Sequence, residues 1–105
     1  MNHSMKDYNR AYQLLLQLYD IIKVEGKGSV DHYINEVARI IATIEDYQKN
    51  NDLSLLKDLD KSILNLYTGR ASLDEFYVMR DNEEERIRLN KPLTLIENEL
   101  WKMFS

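Results

Sequence analysis

The chain has 105 residues, 14 Lys and Arg against 18 Asp and Glu, a net charge of −4 and no Cys. That length fits one domain over 1–105; the absent Cys exclude a disulfide framework, a zinc–thiolate site and a thiol nucleophile, and scattered bases on an acidic chain exclude a nucleic-acid binder. No apolar run approaches the ~20 residues of a membrane span, and the opening "MNHSMKDYNR" lacks the apolar stretch of an export signal, so the expected location is cytoplasmic.

Residues 5–25 place Tyr8, Ala11, Leu15, Leu18 and Ile22 at steps of three and four. That period puts them on one helical face, which Leu14 and Ile21 widen. Ser4 is a suitable N-cap, and Gly26 and Gly28 suit the stop. Residues 30–49 repeat the pattern with Ile34, Val37, Ile41 and Ile44, flanked by Tyr33, Ile40 and Tyr47. Ser29 can cap this second helix, and Asp31 suits its dipole. The cluster "KNND" at 49–52 reads as a turn. A third helix is predicted over 53–67, carried by Leu56, Leu59, Ile63 and Leu66 or Tyr67. Asp52 or Ser54 would cap it, and Gly69 sits at its C′ position.

A tight corner follows. Ser72-Leu73-Asp74-Glu75 has the form of a capping box. Gly69 would stop one helix and Ser72 start a short one near 72–79, although "FYVM" at 76–79 also has strand character. The last segment, 82–104, carries Leu89, Leu93, Ile96, Leu100 and Phe104 at helical steps, with Pro92 in its interior. A mid-helix proline removes a hydrogen bond and clashes with the preceding turn. The segment is therefore either one kinked helix or two short helices meeting at Asn90, with Asn90 as the second cap. With 44% hydrophobic and 30% charged residues, three Gly and one Pro, the expected fold is all-α: a single-domain bundle of four main helices.

Few residues carry chemistry. His32 and Glu36 stand four apart, but two ligands do not make a metal site. Asp58 and Asp60 alternate with Lys57 and Lys61, the pattern of a solvated face. Gly26-Lys27-Gly28-Ser29 follows no strand and lacks the rest of a phosphate loop. No cofactor and no metal are expected.

The segment 74–85 stands out. Asp74, Glu75, Asp81, Glu83, Glu84 and Glu85 face one base, Arg80, a net of −5 in twelve residues. One reading is a solvated loop whose acids favour the start of the next helix. The other is a docking surface for a basic partner, steered in by the negative potential. Tyr77 or Phe76 would then supply the apolar anchor, if not committed to the core.

The run Leu66-Tyr67-Thr68-Gly69-Arg70-Ala71-Ser72-Leu73-Asp74-Glu75 resembles the motif L-Y-G-G-M-G-S-L-N-D of a group of small bacterial helical proteins. Leu66, Tyr67, Gly69, Ser72 and Leu73 match, and Asp74 and Glu75 nearly so. Asn90 and the closing "LIENELW" look like that group's tail, while Thr68, Arg70 and Ala71 depart from it. Members of the group are taken to be immunity proteins from their setting near toxins. The resemblance implies a non-enzymatic protein that neutralises a toxin or other basic partner by docking. It brings no catalytic residues.

The partner-binding residues expected are Asp74, Glu75, Tyr77, Asp81, Glu83, Glu84 and Glu85, with Gly69 and Ser72 shaping the corner. The alternative is a structural or regulatory homodimer that uses Leu14, Ile21 and Ile40 as a leftover apolar stripe. An enzyme would need a pocket gathering carboxylates with Tyr or His, near Glu36, Asp58 or Tyr67.

Overall fold

The computed structural model describes residues 5–25, 31–51, 53–56, 58–68, 73, 76 and 78–105. Among them the protein is all-α, with four α-helices and no strand. The helices are α1 (Met5–Glu25), α2 (Asp31–Asn50), α3 (Leu59–Asn65) and α4 (Glu83–Phe104). The expected caps Ser4, Ser29, Asp52, Gly69 and Ser72, and the stops Gly26 and Gly28, lie outside the described residues.

Helix α1 packs against both α2 and α4. This explains its broad apolar face. Tyr8, Ala11, Leu15, Leu18 and Ile22 are buried as their spacing requires, and Leu14 is buried with them. The expectation that Leu14, Ile21 and Ile40 form an exposed stripe is thereby overturned. Leu14 and Ile40 are core residues, and Ile21 packs half-buried against the core. A helix with neighbours on two sides buries apolar residues beyond a single face.

Helix α2 stops at Asn51, whose φ of 51° lies in the left-handed region. Its amide donates to the Tyr47 carbonyl at 2.7 Å. Asn tolerates this backbone better than other non-glycine residues, so Asn51 stops the helix without glycine.

The third predicted helix is divided. Leu53–Leu56 form a short 3-10 turn, Asp58 takes φ 65° and ψ 4°, and α3 begins at Leu59. The Asp58 side chain caps nothing; its carbonyl accepts from the Ser62 amide at 3.0 Å and the Ser62 hydroxyl at 3.2 Å. Periodicity misses such a break because Leu56, Leu59 and Ile63 keep their steps of three and four across it.

At its far end α3 tightens into 3-10-type bonds from Leu66 to Ile63 (3.2 Å) and from Tyr67 to Leu64 (3.0 Å). Across the corner the Leu73 amide donates to the Leu66 carbonyl at 2.8 Å. The two flanks of the corner therefore meet. Of the short helix expected near 72–79, the described residues show one turn at Leu73, closed by the Phe76 amide at 3.1 Å. Phe76, Val78 and Met79 have no regular structure.

Helix α4 runs unbroken through Pro92. Asn82 is its N-cap, and the Asn82 side chain accepts from the Glu85 amide at 2.9 Å. Asn90 is not a cap, contrary to the two-helix reading. Arg88 and Pro92 are both exposed, so water can replace the donor that Pro92 lacks.

All four helices contribute to one core, in which Ile44, Ile63, Ile96 and Leu100 are wholly buried. At one end the Tyr8 ring meets Tyr47 edge-on and Phe104 at a tilt, with centroids 6.3 and 5.8 Å away. Each such pair contributes about 0.5–1.5 kcal/mol beyond its buried area. The Tyr8 hydroxyl donates to Asp60 Oδ1 at 2.8 Å. Asp60 is thus half-buried against α1 rather than part of a solvated face; Asp58 alone is exposed.

Candidate functional site

Two places in the molecule combine geometry with chemistry. The first is where the end of α1, the segment 78–82 and the start of α4 come together. Arg80 donates through Nη2 to both carboxylate oxygens of Glu25 at 2.7 Å and through Nη1 to the Met79 carbonyl at 2.8 Å. Its Nε lies 3.4 Å from Glu85 Oε1. The hydrogen bond to Glu25 raises the Arg80 pKa above its ordinary value; partial desolvation opposes this, and the Glu25 and Glu85 charges add to it.

Arg80 is the single base of the acidic segment, and its charge is taken up by Glu25 and Glu85. Asp81, Glu83 and Glu84 are exposed, and among the described residues none of the three is in an ion pair. Glu83 and Glu84 lie four and three residues before Ile87, so both neighbour it on α4. Ile87 is 60% exposed and Met79 70%. Glu83, Glu84 and Glu85 also fill the first turn of α4, where negative charge complements the helix dipole.

Of the expected partner-binding residues, Asp81, Glu83, Glu84 and Glu85 thus come together at one helix start. Asp74, Glu75 and Tyr77 lie outside the described residues. Glu85 is partly committed to Arg80. Phe76, the other candidate anchor, packs against the core. The apolar side chains open beside the acids are Met79 and Ile87, which sequence reasoning passed over. Glu25 was also missed, since it stands 55 residues from Arg80 and no local pattern links them.

The second place is Tyr67. It is buried in the same core cluster as Leu18 and Leu73, and it lines a cavity of about 190 Å³ with Leu18, Leu73, Phe76, Asn90, Leu93, Thr94 and Glu97. The Tyr67 hydroxyl is buried and, among the described residues, has no hydrogen-bond partner. Burial raises its pKa well above the ordinary tyrosine value, and the charge of Glu97 adds to the effect. A concave site therefore does exist near Tyr67. It gathers one tyrosine and one carboxylate, and the tyrosine holds its proton more tightly than usual, the opposite of what a general base needs.

Asn90 joins the two places. Its Oδ1 accepts from the Val78 amide at 2.8 Å, and its Nδ2 donates to the carbonyls of Val78 and Arg86, each at 2.8 Å. One side chain thereby fixes the segment before α4 and forms part of the cavity wall.

Among the described residues no three His, Cys, Asp or Glu are placed to hold a metal ion, and no helix is long and apolar enough to cross a membrane. The His32 side chain is not among those described. Compared with models of known protein families, with curated proteins and with solved structures, the chain matches none.

Proposed function

We propose that this chain is a non-enzymatic, cytoplasmic protein-binding module, immunity-like in action, which neutralises a basic partner by stoichiometric docking. One observation carries the reading. The single base of the segment is neutralised from within by Glu25 and Glu85, which leaves Asp81, Glu83 and Glu84 open beside the apolar Met79 and Ile87. Negative potential steers a basic surface in and raises its association rate, and the exposed apolar Met79 and Ile87 give it something to bury. The likeness of 66–75 to the motif of small immunity-type bacterial proteins supports the same reading.

The test is a pull-down from the native host with the wild-type chain and with Asp81→Asn/Glu83→Gln/Glu84→Gln. Glu85 is left intact because it contacts Arg80. The reading expects a basic partner that the wild type retains, that added salt weakens, and that the triple variant loses by at least tenfold in affinity. Equal retention by both chains at matched folding would remove this surface from the account.

A further inference from the structure

We propose that the groove between the end of α1 and the start of α4 is the contact through which two copies of this chain form a weak, two-fold symmetric dimer. The proposal does not rest on the docking reading.

The groove has a volume of about 270 Å³, and its apolar surface comes chiefly from Ile21 and Val24 of α1 and from Leu89 and Pro92 of α4. Val24 is 75% exposed and Pro92 is open to solvent. Leu95, half exposed and three residues after Pro92, extends this surface along α4. These side chains face water in the single chain, and covering them is favourable.

The charges say what covers them. Glu25 lines the groove but is held by Arg80. Two charges remain, Asp20 from α1 and Arg88 from α4. Both are exposed, and among the described residues neither is in an ion pair. A basic segment laid in the groove would meet Asp20 and be repelled by Arg88; an acidic one would do the reverse. The surface that answers both is the same surface turned over. A two-fold axis running along the groove, between the helices, lays α1 of each copy on α4 of the other. Asp20 of one then faces Arg88 of the other, and the contact is made twice. Exposed ion pairs add little affinity, but like charges brought together reject a wrong partner and so fix the register. The apolar side chains supply the attraction. So few of them make an interface that is small beside the roughly 1,600 Å² of a standard one, and a dissociation constant on the order of 100 μM is expected.

The test is sedimentation equilibrium of the full-length chain, with circular dichroism as the check on folding. The wild type should pass from monomer to dimer between about 10 μM and 1 mM. Asp20→Arg sets bases against bases and Arg88→Asp sets acids against acids, so each alone should weaken self-association about tenfold or more. Mixed in equal amounts, the two variants should recover wild-type association, because each offers the charges that the other lacks. Should either fail to fold, Val24→Glu decides: at an exposed position it leaves the core alone and should abolish the dimer. The proposal is overturned if the wild type is still monomeric at about 1 mM, if either charge reversal or Val24→Glu associates as the wild type does, or if the mixture stays monomeric. A monomeric wild type whose Val24 and Leu89 amides shift on addition of a different protein gives the groove another occupant and overturns it equally.

Discussion

Asn90 grips Val78 by both of its backbone groups, taking the amide on Oδ1 and giving Nδ2 to the carbonyl, each at 2.8 Å. A carboxamide offers a donor and an acceptor side by side, as a peptide unit does. In this way an irregular segment obtains the pairing that a neighbouring strand would otherwise supply. Val78 is 2% exposed, so water cannot readily stand in for Asn90. Asn90→Ala leaves a buried donor and acceptor unpaired and is expected to lower stability by about 1–3 kcal/mol. Urea unfolding measures the loss, and amide exchange at Val78 should accelerate with it. A change under about 0.5 kcal/mol would show that the clamp contributes little.

Arg80 links the end of α1 to the start of α4 through Glu25 and Glu85. Removing it should destabilise the protein, and the loss should shrink as salt rises, because the pair is partly open to solvent. A double-mutant cycle of Arg80→Ala with Glu25→Ala isolates the interaction. Additive effects of the two substitutions would mean that the contact couples nothing.

Tyr8 and Tyr67 should make the protein sensitive to alkali. Burial raises the pKa of both, with the hydrogen bond to Asp60 adding at Tyr8 and the Glu97 charge at Tyr67. Below about pH 10, the ordinary tyrosine value, both groups are protonated in the folded and unfolded chains, and their contribution is fully present. Above it the unfolded chain releases protons that the native fold retains, so stability falls as pH rises toward the folded values. The slope approaches about 1.4 kcal/mol per pH unit for each tyrosine held neutral. Denaturant unfolding between pH 9 and 11 should therefore be less steep in pH for Tyr67→Phe than for the wild type. Parallel curves would contradict the assignment.

Pro92 interrupts the hydrogen bonds of α4 without ending the helix. Pro92→Ala restores a donor for the Arg88 carbonyl and improves helix propensity, which proline lowers by about 3 kcal/mol relative to alanine. Part of that gain is offset, because proline also restricts the unfolded chain by about 0.4–1 kcal/mol. The net expectation is a stabilisation of about 1–3 kcal/mol, read from the urea midpoint at unchanged m-value. A loss of stability would mean that the Pro92 ring, which lines the groove with Ile21 and Val24, is needed there.

Much of the fold is legible in the residues because amphipathic spacing is a local property. The apolar steps from Tyr8 to Ile22 and from Ile34 to Ile44 placed α1 and α2 to within a residue or so of their observed ends. Leu89 to Phe104 placed α4, although its passage through Pro92 was left open. The break at Asp58 was not legible, since the same steps run across it unchanged. Nor was the status of Leu14 and Ile40 as core residues: it depends on how many neighbours each helix has, and periodicity reports only one face.

The sites divide in the same way. The acidic run could be read from the chain, because like charges adjacent in sequence lie close in any fold. The partners of Arg80, the clamp on Val78 and the cavity beside Tyr67 could not. Each joins groups from different parts of the chain, such as Glu25 with Arg80 or Leu18 with Leu93. By itself the sequence determined four amphipathic helices and where negative charge gathers. Only the tertiary structure decided which charges cancel and which carboxamide holds the irregular segment, because hydrogen bonds and ion pairs require contact, and contact between distant residues exists only once the helices have packed.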